Sequence, residues 1–151
     1  MDSPIYEAKT IESFISERRR EPVRISGPKD TYVALRRYHA KRQEHFLVLT
    51  LDGAHQVIAI RIVSIGLVNR TIVAPREVFG PAIKDNACAV ILAHNHPSGK
   101  LEPSPEDIEI TTRLVGAGEL LGIEVLDHLI VGKYGFCSLL EKGLMTKPQG
   151  Q

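Results

Sequence analysis

Residues 87–99 of the chain read Ala-Cys-Ala-Val-Ile-Leu-Ala-His-Asn-His-Pro-Ser-Gly. The first seven are apolar, and so short a run of small and β-branched side chains predicts a strand that is buried on both faces. The polar residues that follow stand at the carboxyl end of this strand, where α/β sheets tend to place their functional sites. We therefore expect this stretch to decide both the fold and the function.

Helical and extended segments alternate on both sides of that strand. The predicted helices cover residues 8–20, 30–42, 75–86 and 105–121, and the other predicted strands cover residues 45–51, 56–63, 123–131 and 136–140. Residues 21–29 contain two prolines and a glycine, which favours a linker or an extended arm. After the first short helix, the order α-β-β-α-β-α-β-β predicts one α/β domain, a mixed sheet flanked by helices.

The composition is that of a globular protein of one domain. The chain has 151 residues, of which 43% are hydrophobic and 25% are charged, both ordinary values for a folded domain. Its longest apolar run, residues 87–93, is far shorter than the roughly 20 residues of a membrane helix. No signal peptide is visible, and Cys88 and Cys137, both expected to be buried, cannot form a disulfide framework. These features predict a cytoplasmic protein that has no membrane partner.

The charges nearly balance, with 19 basic and 18 acidic side chains. This balance gives no global attraction towards nucleic acid. The basic residues cluster only in the first third, at residues 18–20, 36–37 and 41–42. Solvated helix faces are the simpler interpretation of these clusters, and a phosphate-binding edge is the alternative.

The spacing after the buried strand predicts a metal site. His94 and His96 are two residues apart, so on an extended chain their side chains point the same way. Asp107 lies in the first turn of the next predicted helix, which returns to the end of the strand. Two imidazoles and one carboxylate suit Zn²⁺, and three protein ligands leave a fourth position open for water, as in catalytic zinc sites.

Two residues near this pattern have structural interpretations as well. Ser104 precedes Pro105 and two acidic residues, which is the ordinary start of a helix, and a hydroxyl that caps a helix can still face a site. His128 lies in the strand predicted over residues 123–131. We expect it to be a packed strand residue, with a contact to the site as the alternative.

A hydrolytic metal site also needs a proton acceptor that is not a ligand. Two glutamates are candidates from the residues alone. Glu44 lies next to the apolar strand predicted over residues 45–51, whereas Glu77 lies in the first turn of a helix. Helix dipoles favour acidic side chains at that position, so Glu77 also has a simple explanation as a surface residue. Position therefore favours Glu44 and leaves Glu77 open.

Residues 94–99, His-Asn-His-Pro-Ser-Gly, together with Ser104 and Asp107, resemble the JAMM metal motif of the MPN/JAB superfamily, specifically its RadC-like branch. That motif is a glutamate far upstream, then His-x-His, seven residues and Ser-x-x-Asp, and the spacing in this chain matches it. Further similarity to RadC-like domains lies in residues 44–46, 51–52, 66, 75–78 and 127–132. The resemblance covers residues 28–145 and leaves residues 1–27 as an N-terminal extension and residues 146–151 as a tail.

The resemblance implies a cytidine-deaminase-like α/β fold with one Zn²⁺ per chain. His94, His96 and Asp107 match the metal ligands, Glu44 matches the general acid/base, and Ser104 matches the serine that stabilises the tetrahedral intermediate. The implied function is that of a JAMM-type zinc metallopeptidase, which hydrolyses peptide or isopeptide bonds in a protein or peptide substrate. The resemblance sets neither the substrate nor the oligomeric state, and it leaves open whether activity needs a partner.

A DNA-associated interaction module with structural zinc is the alternative function. The basic first third of the chain and the DNA-repair label of the RadC-like family motivate it. Against it, the first 30 residues are too short for the helix-hairpin-helix region that RadC-like proteins usually carry. A structural zinc would also usually recruit a fourth protein ligand, so the three-ligand pattern favours the enzyme.

Overall fold

A computed structural model of the protein, which describes residues 22–69 and 71–146, contains one mixed sheet. Its strands are β1 (His45–Leu51), β2 (Val57–Ile65), β3 (Ala89–Asn95), β4 (Glu124–Gly132) and β5 (Gly135–Ser138). Their order across the sheet is β2-β1-β3-β4-β5, and only β3 and β4 are parallel neighbours. Every residue of the central strands β1 and β3 is buried. The prediction that β3 is covered on both faces is therefore confirmed.

Helices cover both faces of this sheet. They are α1 (Pro28–Ala34), α2 (Pro75–Lys84) and α3 (Pro105–Leu121). On one face, Phe79 of α2 and Leu114 of α3 belong to the same buried cluster as Val90 and Leu92 of β3. On the other face, Leu35 just after α1 is fully buried in a cluster with residues of β1 and β3. The architecture is the α/β class that the sequence predicts.

Helix α3 positions the next part of the chain against β3. Ser104 is its N-cap in a reciprocal capping box with Asp107, and Gly122 ends it in the left-handed conformation, with φ 71°. These strong end signals explain why the predicted bounds of this helix are confirmed. Because α3 connects the parallel strands β3 and β4, its first turn lies at the carboxyl end of β3.

The helix predicted over residues 30–42 is wrong in its second half. Helix α1 ends at Ala34 and is followed by only a short 3₁₀ turn, Arg36–Tyr38. Beyond that turn the His39 ring stacks on the Tyr32 ring at a centroid distance of 3.8 Å, and its Nε2 lies 2.6 Å from the Tyr32 carbonyl oxygen. Tertiary contacts thus end the helix earlier than its local pattern predicts.

The predicted start of β3 is wrong by two residues. The Ala87 amide donates to the Ala82 carbonyl at 3.0 Å, so this residue follows α2 and is bonded to its last turn rather than to the sheet. Strand β3 begins at Ala89 and continues to Asn95. Cys88, just before the strand, is exposed, which contradicts its predicted burial, whereas Cys137 is buried as expected.

The N-terminal arm is extended as predicted. The Ile25 amide donates to the His55 carbonyl at 2.9 Å, and the Val23 carbonyl accepts from the Val57 amide at 2.8 Å. The helix predicted over residues 8–20 lies outside the described residues. Within the described ranges, none of the helices combines the length and apolar character needed to cross a bilayer.

Two helical glycines give a matched test of this packing. A Cβ on Gly118 of α3 would overlap the Ile123 carbonyl oxygen and lie 3.2 Å from the Phe79 ring, whereas a Cβ on Gly80 of α2 meets nothing within 4 Å. We expect Gly118→Ala to lower the free energy of unfolding by about 1–3 kcal/mol. Gly80→Ala should change it much less, because the better helix propensity of alanine is opposed only by the restriction that Pro81 places on the residue before it. Denaturant unfolding measures both, and equal effects of the two substitutions would contradict the packing.

Candidate metal centre

Two imidazole rings meet at the carboxyl end of β3. His94 is the penultimate residue of the strand and is fully buried, and His96 follows the strand with 16% of its side chain exposed. Their Nε2 atoms lie 2.9 Å apart. The alternation of side chains along an extended chain therefore brings the two rings together on one face.

Asp107 approaches the same point from the first turn of α3. Its Oδ1 lies 3.3 Å from the His94 Nε2, and its Oδ2 lies 3.4 Å from the His96 Nε2. Burial disfavours the charge on Asp107, but the two histidine rings beside it outweigh burial and hold the pKa of the carboxyl well below its usual range. Asp107 is therefore a carboxylate at neutral pH.

Glu44 lies beside the two histidines, just before β1. One of its carboxylate oxygens and one ring nitrogen from each of His94 and His96 all lie within 4.8 Å of one another, a grouping that could hold a metal ion. Glu44 is half-buried. The other candidate, Glu77, is exposed in the first turn of α2 and pairs with its neighbour Arg76 at 3.3 Å. The structure thus brings Glu44 to the histidines and leaves Glu77 as a surface residue.

The converging atoms fit a cation. The His96 Nδ1 lies 2.8 Å from the Lys100 carbonyl oxygen, and because a carbonyl only accepts, Nδ1 carries the proton and Nε2 presents a lone pair. The His94 Nδ1 is engaged with His128, so its Nε2 also faces the centre. Two ring nitrogens and a carboxylate then meet as three acceptors, an arrangement that a bound cation would stabilise.

The distances between these atoms suit a tetrahedral ion as well. Two ligands of one tetrahedral Zn²⁺ lie about 3.3 Å apart, given Zn–N and Zn–O distances of roughly 2.0–2.2 Å. The observed separations among the His94, His96 and Asp107 atoms are 2.9, 3.3 and 3.4 Å. The nearby carboxylate of Asp107 also raises the pKa of His96, as a negative charge beside an imidazole does.

Ser104 both caps α3 and borders this group. Its Oγ accepts from the Asp107 amide at 3.1 Å, and its own amide donates to the Asp107 Oδ2 at 2.8 Å. The hydroxyl proton of Ser104 is not used in either bond. A capping serine with a free hydroxyl proton is therefore present at the edge of the group, so the structural and the functional interpretations are compatible.

Asn95, the middle residue of the His-Asn-His stretch, holds the segment that carries Glu44. Its Oδ1 accepts from the His45 amide at 2.7 Å, and its Nδ2 donates to the carbonyls of Gln43 and Lys41 at 3.0 and 3.2 Å. Asn95 is itself buried. These three bonds enclose Glu44 from both sides, a function that the sequence analysis missed because nothing local links residues so far apart.

His128 and Thr111 contact the site through the Nδ1 side of the His94 ring, away from the atoms that converge. The His128 Nε2 lies 2.7 Å from the His94 Nδ1, and its Nδ1 lies 2.5 Å from the Thr111 Oγ1. Burial lowers the pKa of His128 well below its usual value, so the ring is neutral. His128 is a packed residue of β4, as expected, and it also contacts the site, so both interpretations hold. A signal for Thr111 was present in the sequence, because it follows Asp107 by four residues and so shares its helix face.

A mixed sheet that carries a His-x-His pair, a helix-borne aspartate and an upstream glutamate has the features of a JAB/MPN-type domain. The family model described as the RadC-like JAB domain matches residues 25–144. The chain belongs to this family, as its resemblance implied.

Curated relatives support the same assignment. The chain is 42% identical to a UPF0758 protein of Methanosarcina mazei over 139 residues, which are 91% of this chain and 59% of that protein. It is 51% identical to a UPF0758 protein of Alkaliphilus metalliredigens over 81% of this chain and 53% of the relative. The chain therefore spans little more than half the length of these relatives.

The contacts of Asn95 can be tested without a metal. We expect Asn95→Ala to accelerate amide hydrogen exchange in residues 41–45 and to lower the free energy of unfolding by about 1–3 kcal/mol, since it leaves the buried His45 amide unpaired. Asn69→Ala is the control, because the Asn69 Oδ1 also caps backbone amides, of Thr71 and Ile72, but in an exposed turn. Unchanged exchange in residues 41–45 of Asn95→Ala would contradict the assigned contacts.

Proposed function

We propose that the protein is a zinc-dependent hydrolase of amide bonds, peptide or isopeptide, in protein or peptide substrates. His94, His96 and Asp107 would hold the ion, and Glu44 would act as general acid/base. The observation that carries the proposal is the convergence of one carboxylate and two imidazole nitrogens within 3.4 Å, with a second carboxylate beside them. Membership of the RadC-like JAB family supports it.

The donor set favours zinc among the common ions. Mg²⁺ and Ca²⁺ prefer oxygen ligands, whereas imidazole nitrogens combined with a carboxylate suit Zn²⁺. No cysteine belongs to this group of described residues. Three protein ligands, rather than four, are typical of catalytic zinc.

Asp107 is a better third ligand than Glu44. Both oxygens of Asp107 face a histidine Nε2 at 3.3–3.4 Å, and the Ser104 amide fixes their orientation. Glu44 is half-buried, and His96 beside it is partly exposed. A carboxylate that is close to the ion, accessible from solvent and not itself a ligand suits the exchange of protons with a reacting molecule.

The bound ion would supply Lewis acidity, which activates a water molecule and polarises the carbonyl of the scissile bond. Glu44 would accept the proton of the attacking water and return it to the leaving amine. The hydroxyl of Ser104 would donate a hydrogen bond to the oxygen on which negative charge develops. Asn95 would keep Glu44 at its position, because it binds the backbone on both sides of that residue.

The predicted location and partners of the protein are proposals as well. A cytoplasmic location, a protein or peptide partner and the DNA-associated alternative all come from the sequence. The described basic residues on which DNA association would depend, Arg36, Arg37, Lys41 and Arg42, are exposed. Arginine and lysine are not zinc ligands, so these residues leave the proposed set at three protein ligands, which favours the hydrolase.

Zinc binding is the first test. The wild-type protein is expected to bind one Zn²⁺ per chain in equilibrium dialysis. Asp107→Asn should lower the zinc affinity by more than about 100-fold. This loss is larger than the usual effect of replacing a residue that hydrogen-bonds to a ligand without binding the metal. Asp30→Asn changes an aspartate that, within the described part of the chain, accepts from the Ser26 amide away from the metal group, and it should leave zinc binding unchanged. Wild-type affinity in Asp107→Asn would overturn the ligand assignment.

Turnover tests the role of Glu44. On a library of quenched fluorescent peptides, the zinc-loaded Glu44→Gln protein should keep its zinc and lose activity by about 10²–10⁴-fold, which is the usual contribution of a general acid/base. Glu77→Gln is the matched control and should retain activity. Loss of zinc from Glu44→Gln would make Glu44 a ligand instead, and loss of activity only in Glu77→Gln would show that the wrong glutamate was chosen. No cleavage by the zinc-loaded wild-type protein would contradict the hydrolase itself.

A further inference from the structure

A chain of hydrogen bonds links two of the proposed ligands through residues that do not face the ion. It begins at the His94 Nδ1, which lies 2.7 Å from the His128 Nε2. It continues from the His128 Nδ1 to the Thr111 Oγ1 at 2.5 Å, and from that oxygen to the Asp107 carbonyl at 2.7 Å. His94, His128 and Thr111 are all fully buried, so no water competes for these bonds.

The carbonyl at the end of this chain fixes the direction of every bond in it. A carbonyl oxygen can only accept, so the single hydroxyl proton of Thr111 points to Asp107. The Thr111 Oγ1 then accepts, and the His128 Nδ1 must donate to it. The neutral His128 ring has its lone pair on Nε2, and the His94 Nδ1 must donate to that atom. His94 is left with its lone pair on Nε2.

The reverse order is incompatible with these contacts. If Thr111 donated to His128, its oxygen would face the Asp107 carbonyl at 2.7 Å with no proton between them. The His128 Nε2 would then donate to His94, and the displaced proton would occupy the His94 Nε2. That nitrogen lies 2.9 Å from the His96 Nε2 and is the atom proposed to bind the ion.

The fold keeps both rings in place. Phe46 lies parallel to the His94 ring at a centroid distance of 5.8 Å and edge-on to the His128 ring at 5.5 Å. The backbone amide of His128 donates to the Asp127 Oδ1 at 2.7 Å, and the Ser138 hydroxyl donates to the other oxygen of Asp127 at 2.7 Å. Neither ring can turn away without disrupting the buried face of the sheet.

We infer that Thr111 and His128 are positioning residues, which hold His94 in the tautomer that presents Nε2 to the metal ion. The inference rests on the proposed function, since it assumes that His94 is a ligand. Groups that hydrogen-bond to the second ring nitrogen of a metal-binding histidine typically contribute about 10–100-fold to metal affinity. The arrangement also ties two ligands together, because the chain that orients the His94 ring ends on the backbone of Asp107.

Thr111→Val and Thr111→Ser are the matched variants. Valine keeps the shape of threonine without a hydroxyl, and serine keeps the hydroxyl. Competition with a chromophoric chelator is expected to show a zinc affinity about 10–100-fold weaker for Thr111→Val and close to wild type for Thr111→Ser. Thermal melting of the metal-free proteins checks that both variants are folded. If Thr111→Val does not fold, His128→Gln, whose side-chain oxygen can still accept from His94, is compared with His128→Leu for the same difference.

Proton positions give a readout that depends on neither affinity nor activity. Nitrogen-15 spectra of the histidine rings should show the proton on Nδ1 of both His94 and His128 in the wild-type protein, and a changed pattern in Thr111→Val. A proton on the His128 Nε2, or wild-type zinc affinity in a folded Thr111→Val protein, would overturn the inference while the metal site itself stands. Failure of the wild-type protein to bind zinc would instead overturn the proposed function. The ring spectra of the metal-free protein would then still decide the tautomers, because the Asp107 carbonyl sets them without the ion.

Discussion

The convergence of three hydrogen-bond acceptors on one point is the constraint on which the rest of the structure depends. The Nε2 atoms of His94 and His96 and the carboxylate of Asp107 approach within 3.4 Å of one another. Buried acceptors without a donor are unfavourable, so this arrangement persists only if the surroundings hold each group and a positive charge lies among them. The parallel pairing of β3 with β4 and the capping box of α3 provide that support.

Each supporting contact comes from a different part of the chain. The Lys100 carbonyl orients His96, the Ser104 amide orients Asp107, and His128 lies behind His94. Asn95 points away from the centre and binds the segment of Glu44 instead. The neighbouring residues 94, 95 and 96 thus serve the site in two ways, because alternate side chains of a strand face opposite sides of the sheet. All of these residues lie within the segment 25–144 that matches the family.

The sequence predicted best those elements whose signals are local. Helix α3 has the predicted bounds because Ser104, Pro105 and Gly122 mark its ends, and β1 coincides with its apolar run. The helix predicted over residues 30–42 is wrong after Ala34, because His39 turns back to stack on Tyr32. The Lys41 carbonyl then accepts from Asn95, which is more than 50 residues away in the sequence. For the site, spacing alone could suggest His94, His96 and Asp107, since they come from one strand, one loop and one helix end.

Other parts of the site could not be read from spacing. The choice between Glu44 and Glu77 depends on the antiparallel pairing of β1 with β3, which brings Phe46 opposite His94 and so places Glu44 nearby. The contacts of His128 depend on the register of β4 against β3. Position in the sequence favoured Glu44, and resemblance to a family assigned the roles of Glu44 and Ser104, but the contacts of Asn95, Thr111 and His128 required the three-dimensional structure.

The local structure of a bound ion tests the central claim most directly. X-ray absorption at the zinc edge of the zinc-loaded protein should show four nitrogen or oxygen ligands, of which two give the scattering pattern of imidazole, and no sulfur. That result would place His94, His96 and one carboxylate around the ion, with one position left for solvent. A sulfur ligand, a six-ligand shell or a single imidazole would contradict the account, because each requires the ion to lie away from the point where these three side chains meet.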